Sequence, residues 1–237
     1  MDRILVWDLP ARLFHWAFAG SIGAAIGIAF LADHEQPLFQ WHMLFGIVAL
    51  FLVAVRVLMG LVGSRYSRFS SFPVHPREVT GYMISAVFAK TRLYAGNNPG
   101  SAMAAVFMFL LVPALFLSGI GGERFEELHE LFAWGLLAVI VMHLLGLAWH
   151  TLRHRENISL AMVTGKKPGE TEDGIASAHV VWGAVILIAA GLWIAALFAN
   201  HNSKSATVKL PAIGVTLPLG ENESAAGKPR RDRDDDD

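Results

Sequence analysis

His129 and His143 stand fourteen residues apart in the stretch HELFAWGLLAVIVMH, which has no charged residue between Leu131 and Met142. In a helix that separation is about 21 Å along the axis, with a rotation of about four turns less 40°, so both imidazoles face nearly one side. Imidazoles inside so apolar a run are costly unless something uses them, and a metal or haem iron near each end is the natural use. The plain alternative, that each histidine only hydrogen-bonds a neighbouring helix, weakens when two share one face at opposite depths. Each then needs a partner at its own depth.

The chain that must supply those partners has the composition of a membrane protein. Of its 237 residues 54% are hydrophobic and only 16% are charged, with a mean hydropathy of +0.46, far from the balance of a soluble domain. Its net charge of −1 identifies no partner, and nucleic acid is not among the expected ones. Cysteine is absent, which excludes disulfides, thiolate-held iron–sulfur clusters and covalently attached c-type haem. Any haem is therefore held by histidine or methionine.

Uncharged runs predict five transmembrane helices. The first covers Leu13 to Ala32, behind a short start closed by Pro10, and is long for the apolar region of a cleaved signal peptide. A second runs from about Trp41 to Gly63, a third from Gly100 to Gly119 across Pro113, a fourth through the opening stretch to Arg153, and a fifth from Ala178 to Asn200. Pro113 is tolerable as a kink in a membrane helix. Between the second and third, Glu78 to Phe88 can form a short helix in the membrane interface. Beyond His201 the charge blocks and low aromatic content read as a flexible tail.

Loop charges orient this bundle. Arg65, Arg68, Arg77, Lys90 and Arg92 follow the second span, and Arg153, Arg155, Lys166 and Lys167 follow the fourth. The loop after the first span has no lysine or arginine, and the loop after the third has only Arg124. The N-terminus is thus expected in the cytoplasm and the tail outside. This puts His15 and His143 at the cytoplasmic depth and His42 and His129 at the outer depth.

Two pairs follow, His15 with His143 and His42 with His129. Each can supply both axial ligands of a b-type haem, a six-coordinate arrangement suited to electron transfer because no iron site is open to substrate. Two irons about 20 Å apart along the helix would then connect the two sides of the bilayer. Arg56 lies toward the cytoplasmic end of the second span, where a buried guanidinium needs an anion; a haem propionate would serve, and snorkelling to lipid phosphate competes. Gly20, Gly23, Ala24, Gly27 and Gly46 allow close approach of a helix or of a macrocycle. His150, about two turns from His143, is the substitute ligand; His34, His75, His154 and His201 are expected in solvent, and His179 at the interface.

Several short motifs in order carry a family resemblance: VWDLPARLFHW, RVLMGLVGSRYSRF, NNPGS, the pair His129–Glu130, His143, and ENISLAMVTGKK. Together, over about residues 4 to 167, they resemble the prokaryotic cytochrome b561 family, similar to the cytochrome b subunits of nickel–iron hydrogenases. One departure is Asn97, where many relatives carry histidine in a GHNP sequence. The resemblance implies a di-haem electron carrier in the inner membrane that exchanges electrons with the quinone pool, with His15, His42, His129 and His143 as haem ligands.

The expected fold is all-α: an integral membrane bundle with a four-helix haem-binding core over 1–170, an additional transmembrane helix over 171–200, and a flexible charged tail over 201–237, periplasmic. Its expected work is electron transfer through two haem b groups per chain, between quinone or quinol and a periplasmic redox partner such as a c-type cytochrome. Action as a quinol/quinone oxidoreductase and assembly as a homodimer stay open. One alternative is the membrane anchor of a hydrogenase or other dehydrogenase. Another is a haem-free transporter relaying protons through histidines, but the run from Leu131 to Met142 offers no polar group to continue such a path.

Overall fold

The structure, a computed structural model, describes residues 2–33, 36–88 and 93–220. His34, Lys90, Arg92 and the charge blocks beyond residue 220 lie outside the described residues. The helices are α1 (Leu9–Leu31), α2 (Phe39–Val62), α3 (Pro76–Phe88), α4 (Pro99–Ile120), α5 (Glu126–His154), a single turn α6 (Ala161–Thr164) and α7 (Val180–Ala199). Five of them, α1, α2, α4, α5 and α7, are long and apolar enough to cross a membrane. The protein is a helical, multi-pass membrane protein.

Helix α1 begins four residues earlier than its uncharged run because Asp8 caps it. The Asp8 carboxylate accepts from the Ala11 amide at 2.9 Å, and Pro10 sits in the first turn, where its missing N–H would have had no helical partner. Asn98 caps α4 in the same way, accepting from Ser101 at 2.8 Å. Helix α2 has no side-chain cap; its first amides bond to carbonyls three residues back in the turn Gln36–Leu38. Helix α3 buries none of its side chains and exposes Met83, Ile84, Val87 and Phe88, as a helix lying in the membrane interface would.

The spans pack as two pairs, α1 against α2 and α4 against α5, with α2 joining the pairs through α4 and α7 lying on α1. Leu44, Ile47, Val48, Leu52 and Val53 of α2 are the centre of the core, meeting Phe18 and Ile22 of α1 and Val112 of α4. Among the described residues α5 has no comparable packing against α1 or α2. Leu136 of α5 still joins the common core, so α5 touches the first pair locally and not along its length.

Short strands mark the two ends of the bundle. Strand β1 (Asp2–Leu5) runs antiparallel to β2 (Lys166–Gly169), so the start of α1 and the chain after α5 meet at one end. Gly165 makes this join: its carbonyl accepts from Val6 at 2.8 Å and Trp7 at 3.0 Å, and its φ of +78° suits glycine. Beside it the Lys167 ammonium donates to the Tyr94 carbonyl at 2.7 Å, and burial pushes its pKa down against the opposing pull of Glu156. At the other end β3 (His201–Asn202), β4 (Thr207–Lys209) and β5 (Thr216–Pro218) form an antiparallel sheet.

That sheet corrects the expectation of a flexible tail from residue 201. Val208 and Leu219 are fully buried and belong to the same core as α1 and α2. His201, expected in solvent, is half-buried and its Nε2 lies 2.8 Å from Gln40 Oε1. The physical reason is local: residues 201–220 carry only two charges, Lys204 and Lys209, among apolar residues able to pack.

Two substitutions test the β1–β2 end. A Cβ at Gly165 would lie 2.7 Å from the Trp7 carbonyl oxygen, so Gly165→Ala should destabilise the protein by about 1–3 kcal/mol. Asp8→Ala should cost about 1 kcal/mol and Asp8→Asn much less. Thermal unfolding in detergent, followed by circular dichroism, measures both.

Candidate functional site

Each helix pair pins one histidine from within. On α2, His42 Nδ1 lies 2.9 Å from the Ala25 carbonyl of α1. On α5, His129 Nδ1 lies 3.0 Å from the Leu115 carbonyl of α4, with Ser118 Oγ at 3.2 Å. A carbonyl only accepts, so Nδ1 is the donor in both rings and Nε2 carries the lone pair a metal would use. The hydrogen bonds stay inside the pairs, and the two rings face one another across the gap between their own planes.

Across that gap the His42 and His129 rings stand 6.3 Å apart, centroid to centroid, with planes inclined at 71°. Two imidazole nitrogens bound to one metal at about 2 Å each put ring centroids roughly 6 Å apart. The spacing suits two axial ligands on one iron. Gly119 makes it reachable, since even a Cβ there would meet the His129 ring at 3.3 Å. Phe39 stacks on His42 at 4.9 Å and fixes its plane.

At the β1–β2 end, His143 lies near enough to His15 to act on it electrostatically. The His15 Nδ1 is buried and has no hydrogen-bond partner among the described residues, while Trp16 meets the His15 ring edge-on at 5.1 Å. Trp16 and Arg12 tie this turn of α1 to α6, donating to the carbonyls of Met162 at 3.0 Å and Val163 at 2.6 Å. Of the four histidines chosen from the sequence, the structure thus sets His42 beside His129 and His143 within electrostatic reach of His15.

Arg56 lies at the same end as His15 and is only 6% exposed. Its guanidinium carbon sits 5.3–5.9 Å from the rings of Phe14, Phe69, Phe72 and Phe109, and its Nη1 has no hydrogen-bond partner among the described residues. Asp8 is the carboxylate that acts on it electrostatically. Snorkelling is not what the side chain does here; it is enclosed by phenyl rings. An orphaned N–H in that enclosure fits an anion such as a haem propionate.

The remaining polar groups divide. His150 is buried, 3.6 Å from Glu156 through Nε2, with its ring 4.6 Å from that of His154; it is engaged with its own end of α5. His75 is exposed. A Cβ at Gly20, Gly23, Gly27 or Gly46 would meet no atom within 4 Å, so helix packing does not require glycine there, and space remains beside these faces. Sequence reasoning missed Ser118 and Gly119 as the seat of the His129 ring, although a small pair on the preceding helix was a readable signal. It also missed the two carbonyl acceptors and the phenyl enclosure.

The family model for prokaryotic cytochrome b561 matches residues 6–165, from the residue after β1 to Gly165. No curated protein and no solved structure matches the chain. The matched span contains both histidine groupings and Arg56 and stops before α7. The chain belongs to the prokaryotic cytochrome b561 family, whose members are membrane proteins that bind b-type haem and transfer electrons across the bilayer.

Proposed function

We propose that the chain holds two b-type haems, one between His42 and His129 and one between His15 and His143, and carries electrons between the quinone pool and a redox partner on the outer side, such as a c-type cytochrome. The observation that carries this reading is the His42–His129 ring spacing of 6.3 Å between two separately packed helix pairs. Bound there, bis-histidine haems would supply one-electron transfer with no open coordination position. The chain's own residues do the rest: the Ala25 and Leu115 carbonyls orient two imidazoles, and Arg56 offers a cation for a propionate at the inner site.

Loop charge supports an inner, cytoplasmic position for the β1–β2 end. Arg65, Arg68, Arg77, Arg155 and Lys166 are exposed or half-buried there, whereas the loops at the opposite end expose Asp33, Glu123, Glu126 and Glu127 with Arg124 as the lone arginine. Four spans between β1 and β2 are consistent with their pairing on one side of the membrane.

Pyridine haemochrome analysis of the purified protein is expected to give two b haems per chain, against none for a proton-relaying transporter. His42→Ala and His129→Ala should each remove the same haem, and His15→Ala and His143→Ala the other. A shared loss in His15→Ala and His42→Ala would overturn the pairing.

Two finer variants report on each site separately. Arg56→Leu removes a charge-assisted hydrogen bond of about 1.5–3 kcal/mol, so it should weaken retention of the His15/His143 haem roughly tenfold or more and spare the other. Gly119→Val should displace the His129 ring and deplete only the His42/His129 haem. Haem content and low-temperature difference spectra distinguish the two losses.

A further inference from the structure

Helix α2 starts badly for a helix that must aim a ligand. Leu38 at its N-cap gives no side-chain hydrogen bond, no acidic residue sits in the first turn, and His42 follows within the next residues. Its first amides are held only by the carbonyls of the preceding turn, residues 36–38, so the aim of this turn depends on what packs against it. Something outside α2 has to hold this turn.

That support comes from chain that the family match does not include. Gln40, 9% exposed, lies two residues before His42 and is gripped on both sides of its amide. Its Nε2 donates to the Ser203 carbonyl at 3.3 Å, and His201 Nε2 lies 2.8 Å from its Oε1, donating to it. The next residue, Trp41, meets the His201 ring at 5.6 Å and Phe198 at 5.5 Å. Lower on the same helix Phe51 stacks flat on Trp193 of α7 at 4.0 Å and 7°. Helix α7 and the β3–β5 sheet therefore clasp the first turn of α2 from the end where His42 stands.

We propose that Gln40 and His201 are positioning residues for the outer haem: the C-terminal clasp fixes the first turn of α2 and with it the direction of the His42 ring. It rests on the reading that His42 is an axial ligand. Axial-ligand orientation and the hydrogen bonds behind it tune a haem's potential, so the clasp sets one haem's properties and leaves the other alone. Neither residue touches the iron; both act through the backbone of residues 39–42.

The test uses the full-length haem-loaded protein carrying Gln40→Leu, which removes both amide bonds, and His201→Phe, which keeps the ring against Trp41 and removes only the bond to Gln40. Redox titration and electron paramagnetic resonance should show a shifted midpoint and an altered low-spin signal for the haem that His42→Ala abolishes. The second haem should be unchanged, and hydrogen exchange of amides 39–42 should quicken. Unchanged signals in both variants, or equal shifts of both haems, would overturn the clasp while leaving the haem assignment standing. Full haem content in His42→Ala would overturn the axial-ligand reading itself, and the clasp with it.

Discussion

The hydrogen bond from an imidazole to a carbonyl of the neighbouring helix governs this structure. A main-chain carbonyl already bonded within its own helix has a second lone pair to offer, and here two such carbonyls, Ala25 and Leu115, each take an imidazole N–H from the adjoining helix. Both bonds lie inside a packed helix pair. They hold each ring at the edge of its pair, facing the other. The meeting of the two rings is thus a consequence of how the bundle is assembled from two units.

Arg56 shows which forces suffice and which do not. Burying a guanidinium costs several kcal/mol even after relaxation. Four aromatic faces at 5.3–5.9 Å return about 0.5–2 kcal/mol each, enough to offset much of the cost but not to satisfy a directed N–H. Asp8 acts on it electrostatically but makes no hydrogen bond or ion pair with it among the described residues. A cation so enclosed, with its Nη1 unpaired among the described residues, suits an anion carried by something other than the protein.

Much of this was legible in the sequence because membrane spans announce themselves through what they lack. Uncharged runs located α1, α2, α4, α5 and α7 to within a few residues, and the errors fall where local chemistry overrides hydropathy, as at Asp8 and Pro10. The histidine groupings are expected from the alternating direction of successive spans, with loop charge deciding only which side each faces. Carbonyl acceptors could not be read, since every residue has one and only the fold selects which is near. Nor could the enclosure of Arg56, whose rings come from residues 14, 69, 72 and 109 in three separate regions of the chain.

The misread tail is the instructive case. Treating 201–237 as one compositional block averaged the acidic and basic run at its end with a preceding stretch that has only Lys204 and Lys209 as charges. Within that stretch Val208, Leu210, Leu217 and Leu219 are apolar residues on or beside strands, enough to bury one face of a small sheet. The topology gives the sheet its position. A core of four spans returns the chain to the side where it began, so a fifth helix is what carries residues 201–220 to the other end. There the chain meets the start of α2, which like α5 has no side-chain cap and carries a histidine as its fourth residue.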